Sequence, residues 1–324
     1  MSTRDEMNRY LTALELTFNL TDMPLEVPQK FEALNSLMIK DPSLREKVSN
    51  YAQAQAKLLT SQTIKGDPFS LDMKSDVIYY LTMTLISRLG SSKSAHSPKV
   101  HHWLPLCFIK KFRGSKVPNS RNYTVKSLRF TDSGVFQEEV IDTFFAHGID
   151  EEGNGFYNLS VESFFSVIEA LYLESTQKLT NPNQYKGARY VDLVRLYGFF
   201  LSQAVRNPRP ELNVKSIRTI NGFVNSLITM IDYVETPRGH FIQTDYDLFF
   251  TPYVPQREIK MSDSNHALVF PTSSRAAFIV SDVPLISEKA QNAVKTSQNS
   301  TLLEAKKNKL SIYGVTHSSF KGAL

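Results

Sequence analysis

Two adjacent histidines, His101 and His102, open the run His101-His102-Trp103-Leu104-Pro105. Imidazole has an ordinary pKa near 6.5, so either ring suits a general base or a metal ligand at neutral pH. Adjacent side chains diverge by about 100° on a helix, or point to opposite faces of a strand, so both rings rarely enter one site. The structural use competes with the chemical one: one histidine caps the following helix and the other is a hydrogen-bonded core residue.

Carboxylates and a guanidinium follow on helical spacing. Counted at 100° per residue, Val161, Phe164, Phe165, Ile168 and Tyr172 form one apolar stripe. Glu162 and Glu169, seven apart, lie about 20° from each other at its edge. Stacked carboxylates shielded by aromatic rings can hold a divalent cation or share acid and base work, whereas solvated edge glutamates do neither. On the next helix Leu193, Leu196, Tyr197, Phe200, Leu201 and Ala204 make a wide apolar face, with Arg195, Phe199, Ser202 and Arg206 on the opposite side. Arg206 is thereby aimed at solvent or a second structural layer, where a buried guanidinium needs a carboxylate or phosphate partner. It either clamps phosphate or complements the helix dipole.

The run His101 to Phe112 resembles the HHxxPxxxLxxF opening of a broad microbial and phage family, the domain-of-unknown-function family 4238. Val161-Glu162 with Ile168-Glu169 resembles that family's helical carboxylate pair, and Arg206-Asn207-Pro208 its RTP-type helix end. Phe241-Ile242-Gln243-Thr244-Asp245 is similar to its FITSDNP strand, and Phe270-Pro271-Thr272-Ser273 to its FPLSP segment. The resemblance spans about residues 101–313 and leaves the first hundred uncovered. Ile109 stands in place of a leucine. The family's Asp-Asn-Pro is replaced by Asp245-Tyr246-Asp247, while Ser281-Asp282-Val283-Pro284 lies further on. Order along the chain favours Asp245 as the motif aspartate, and local identity favours Asp282. The resemblance implies a shared fold and no established activity.

Two functions compete for these residues. In the first, His101 or His102, Glu162, Glu169, Arg206 and Asp245 or Asp282 assemble a site that holds Mg²⁺ or Mn²⁺ and activates water, with Arg206 stabilising a phosphoryl transition state. His102, Glu162, Glu169 and Asp282 are then the metal ligands, and the substrate is nucleic acid or a nucleotide. In the second, the chain is a non-catalytic phage or mobile-element factor that engages a host protein or nucleic acid. Arg206 is then paired with Glu162 or Glu169, and the N-terminal helices are the docking surface.

The elements that must position these groups read as α+β. A helical N-terminal region occupies 1–90, a linker 91–100, and a helix-rich domain with a small, mostly antiparallel sheet 101–324. Asp41-Pro42 and Asp67-Pro68 each set an N-cap acceptor before a proline suited to a first helical turn. The second opens a helix to about Leu89, with Gly90 as its C′ residue. Later helices are expected over about 160–180, 186–206, 210–234 and 287–308. Strands are expected over about 123–130, 135–144, 241–250, 267–270, 276–280 and 310–313.

With 324 residues and 41% hydrophobic content, the chain can bury a large core without a metal or disulfide staple. Its single cysteine, Cys107, excludes an intramolecular disulfide and a cysteine-based zinc cluster. The net charge of +5 permits a polyanion partner without requiring one. The most apolar stretch, Val77 to Leu89, is broken by Thr82, Thr84, Ser87 and Arg88, so no membrane association is expected. The first residues lack the charge and apolar pattern of a secretory signal, so a cytoplasmic protein is expected. GxGxxG, HExxH and GxSxG runs and a phosphate-binding P-loop are all missing, which disfavours dinucleotide redox chemistry, ATP hydrolysis and serine esterase activity.

Overall fold

The computed structural model describes residues 1–20, 24–61, 71–91, 104–112, 124–131, 136–141, 158–179, 190–206, 219–234, 237–251, 257–262 and 264–315. They form an α+β protein of two compact units interleaved along the chain. One unit gathers helices α1 (Thr3–Thr17), α2 (Val27–Lys40), α3 (Pro42–Lys57), α4 (Lys74–Ile86), α6 (Leu159–Leu179), α7 (Tyr190–Arg206) and α8 (Ile220–Tyr233). The other holds the short helix α5 (Leu106–Ile109), all the described strands and helix α9 (Ser287–Lys307). The N-terminal helices therefore share a unit with α6–α8, across the division expected at 91–100.

Local chemistry accounts for the starts and stops. Ser2 caps α1 in a capping box with Asp5, and Asp41 caps α3 by accepting from the N–H groups of Ser43 and Leu44 at 2.9 and 3.0 Å. The helix expected from Asp67-Pro68 begins later, at Lys74, after a two-residue strand β1 (Leu71–Asp72). Asp67 and Pro68 themselves lie outside the described residues. Past α4 the chain turns at Gly90, where φ is +72°. A Cβ there would sit 2.6 Å from the Met38 Cβ, so glycine is required by both backbone and space. Its N–H donates to the buried Asn35 side chain at 2.9 Å, which also accepts from the Ser160 hydroxyl at 2.9 Å. Asn35 thus joins α2, the turn after α4 and the start of α6.

In the helical unit, α4 and α7 are buried almost all round, and α7 packs against α4, α6 and α8. Rings of α6, α7 and α8 fill the space between them. Tyr172 stacks on Phe199 at 3.8 Å, and Phe164 and Phe165 meet Phe223 edge-on.

The strand-bearing unit contains two sheets, and every described strand pair is antiparallel. The five-stranded sheet runs β1–β4–β7–β6–β5, adding β4 (Arg238–Gln243), β5 (Arg257–Lys260), β6 (His266–Ser273) and β7 (Ala276–Ser281). The three-stranded sheet runs β3–β2–β8, from β2 (Val125–Phe130), β3 (Phe136–Ile141) and β8 (Ser311–Tyr313). The strand expected over 241–250 stops at Gln243. Thr244 leaves the ladder and donates its N–H to Arg275 O, and Phe250 bridges singly to Tyr313. One face of the larger sheet is sealed by α9, with Ile242, Val269, Ile279, Ala290 and Val294 in the shared core. No described helix is long and apolar enough to cross a membrane.

Candidate functional site

Consecutive helices α6 and α7 form a hairpin, so the start of α6 lies beside the end of α7. Acidic side chains suit helix N-termini and basic ones suit C-termini, because the backbone dipoles leave partial positive and negative charge there. Antiparallel pairing therefore sets acid against base at each end. At one end Arg206, the last residue of α7, meets two glutamates of α6. Its Nη1 donates to Glu169 Oε1 in a very short contact, and its Nη2 lies 3.9 Å from Glu162 Oε2. The guanidinium is 2% exposed and lies 4.5 Å over the Phe165 ring. The second layer toward which Arg206 is aimed is α6.

The two carboxylates differ. Glu169 takes the close hydrogen bond, whereas Glu162 Oε2 is buried with no hydrogen bond among the described residues. Burial pushes the Glu162 carboxyl above the usual range, and the Arg206 charge offsets part of that rise.

The opposite end of the hairpin repeats the logic with Arg195 and with Ser175, Lys178 and Asp192, which the sequence alone did not single out. Asp192, in the first turn of α7 and fully buried, accepts from the Ser175 hydroxyl at 3.0 Å. It lies 3.4 Å from Lys178 Nζ and 3.8 Å from Arg195 Nη1. An acid in a first turn and a lysine in a last turn were visible signals, but only the hairpin brings them together.

Asp245 and Asp282, the two contenders for the motif aspartate, both belong to the strand-bearing unit. Asp282 follows Ser281, which pairs with Arg238, while Asp245 lies beyond Gln243, which pairs with Ala276. At about 3.4 Å per residue the ladder between them spans about 17 Å, so they do not share one site. Asp282 accepts the His266 N–H at 3.0 Å, pinning the end of the β6–β7 ladder. Asp245 is exposed on a turn that Arg275 grips, through Asp245 O at 2.6 Å and the Asp247 carboxylate at 3.1 Å. His101 and His102 lie outside the described residues. The structure thus brings together Glu162, Glu169 and Arg206. Among the described residues no group of three or more His, Cys, Asp or Glu side chains could hold a metal ion.

The chain matches no known family model, no curated protein and no solved structure.

Proposed function

We propose that this chain acts by binding a partner macromolecule, with the Glu162–Arg206–Glu169 cluster as a structural clasp. The observation that carries this reading is the enclosure of Arg206. A guanidinium 2% exposed and held by a carboxylate of the neighbouring helix is already engaged, as a phosphate clamp is not. Its charge also repels a divalent cation from the same two carboxylates. A protein partner fits better than nucleic acid, because most large exposed hydrophobic side chains among the described residues belong to the first 58 positions of the chain. Met1, Leu16, Leu25, Leu37, Ile39 and Leu58 stand out there, against Tyr233, Ile286 and Leu303 elsewhere among the described residues.

Thermal unfolding in EDTA, followed by addition of Mg²⁺, Mn²⁺ or Zn²⁺, tests the reading, since a ligand of the native state raises the midpoint by mass action. No metal-specific rise is expected. A rise that disappears in Glu169→Gln would place a cation at the clasp and overturn the proposal.

One observation favours the hydrolase instead. Two carboxylates beside one arginine, one of them pushed up by burial, is the asymmetry that divides acid from base in a site. On that reading the chain is a Mg²⁺- or Mn²⁺-assisted phosphodiesterase, and purified protein cleaves single-stranded DNA, RNA or dinucleotides in a metal-dependent reaction lost in Glu162→Gln.

A further inference from the structure

We infer that a cleft between β4 and the start of α9 binds an uncharged, mainly apolar small molecule. The cleft encloses about 530 Å³, within the range of small-molecule sites. It lies in the strand-bearing unit and stands or falls apart from the clasp on α6 and α7.

The four consecutive residues His240, Phe241, Ile242 and Gln243 all border it. Neighbouring strand side chains point to opposite faces, so a cleft touched by all four runs along the strand's edge. Among the described residues, β1 pairs along that edge with Arg238 and Gly239. The far wall is α9, fixed to the strand by Gln291, whose Nε2 donates to Gln243 O at 2.8 Å. His240, 1% exposed, borders the cleft with Nε2 3.5 Å from Ser281 Oγ.

The lining selects the ligand class. Aspartate, glutamate, lysine and arginine are absent from the described lining residues, so no described lining side chain matches a charged ligand. Exposed Glu288, in the first turn of α9, already answers the positive end of that helix and disfavours an anion. The rim residue decides for an apolar occupant. Ile286 is the N-cap of α9, a position that strongly prefers Ser, Thr, Asp or Asn, and it makes no side-chain cap. It is also 63% exposed. A residue poor as a cap and poor in water is explained by an apolar ligand lying against it. The amides of Gln243 and Gln291 supply the polar groups that orient such a molecule.

Nile red, an uncharged dye that fluoresces in apolar surroundings, is the probe. Titrated into the full chain, it is expected to saturate at one site, with an affinity insensitive to salt. Ser287 and Gln243 are exposed lining residues, so Ser287→Trp and Gln243→Trp should plug the cleft without disturbing the core. Each should weaken dye binding by about tenfold or more. Leu303→Ser, at an exposed residue that does not line the cleft, should bind like the unaltered chain. Equal binding by both plugged variants, loss in Leu303→Ser, or no saturable site would overturn the assignment.

Discussion

Single residues decide whether the cluster on α6 and α7 is a clasp or a catalytic centre. Glu169→Gln leaves the buried Arg206 guanidinium against a weaker neutral acceptor, and a loss of about 1–2 kcal/mol is expected in urea unfolding. Glu162 behaves in the opposite sense. Its folded-state pKa is raised by burial, so the folded state holds that proton more tightly than the unfolded chain does. Its contribution to stability is fully present below the ordinary value of 4.5 and is lost as pH rises through the raised folded value. Glu162→Gln should therefore unfold later than the unaltered chain at neutral pH, with the difference closing in acid. Equal midpoints at both ends of that pH range would show that Glu162 is as well solvated folded as unfolded. Much of the clasp was legible in sequence: the seven-residue spacing put both glutamates on one line, and the helical wheel put Arg206 off its own main face. The pairing of Arg206 with Glu169 in particular was not legible, because it depends on which helix supplies the second layer.

At the scale of elements, the α6–α7 hairpin is tied at both ends with the Tyr172–Phe199 stack between. Asp192→Ala should lose more stability than Glu169→Gln, about 2–3 kcal/mol, because Asp192 is fully buried and leaves two cations and a hydroxyl behind. The turn after α4 makes a second local prediction. Gly90→Ala puts a methyl group against Met38 at a positive φ, and roughly 2 kcal/mol or more should be lost in the same measurement. Helix periods and turn residues marked α6, α7 and α9 to within a few residues. β1 and β5 went unread because two and four residues of strand carry too little alternation to register. The late start of α4 has a similar cause: a proline behind an aspartate signals a first turn whether or not tertiary pairing claims the next residues for a strand.

Across the whole molecule, order along the chain does not map onto the two units. Helices from both sides of the 91–100 segment make one unit, and strands with α9 make the other, so linear division misjudged what packs with what. Hydrophobic pattern fixes which faces are buried, but several helices with wide apolar faces can be grouped in more than one way, and only packing selects among them. Asp245 and Asp282 illustrate the same limit, being similar in local sequence yet separated by the length of β4. Central to the proposed function is Arg206 as a structural partner of Glu169. The most direct test is a double-mutant cycle in urea unfolding, with Arg206→Met, Glu169→Gln and the pair, run in EDTA and again in Mn²⁺. A coupling of about 1–2 kcal/mol, the same in both buffers, is expected. A coupling near zero, or a stabilisation by Mn²⁺ that needs Glu169, would contradict it and make the cluster a metal-dependent site.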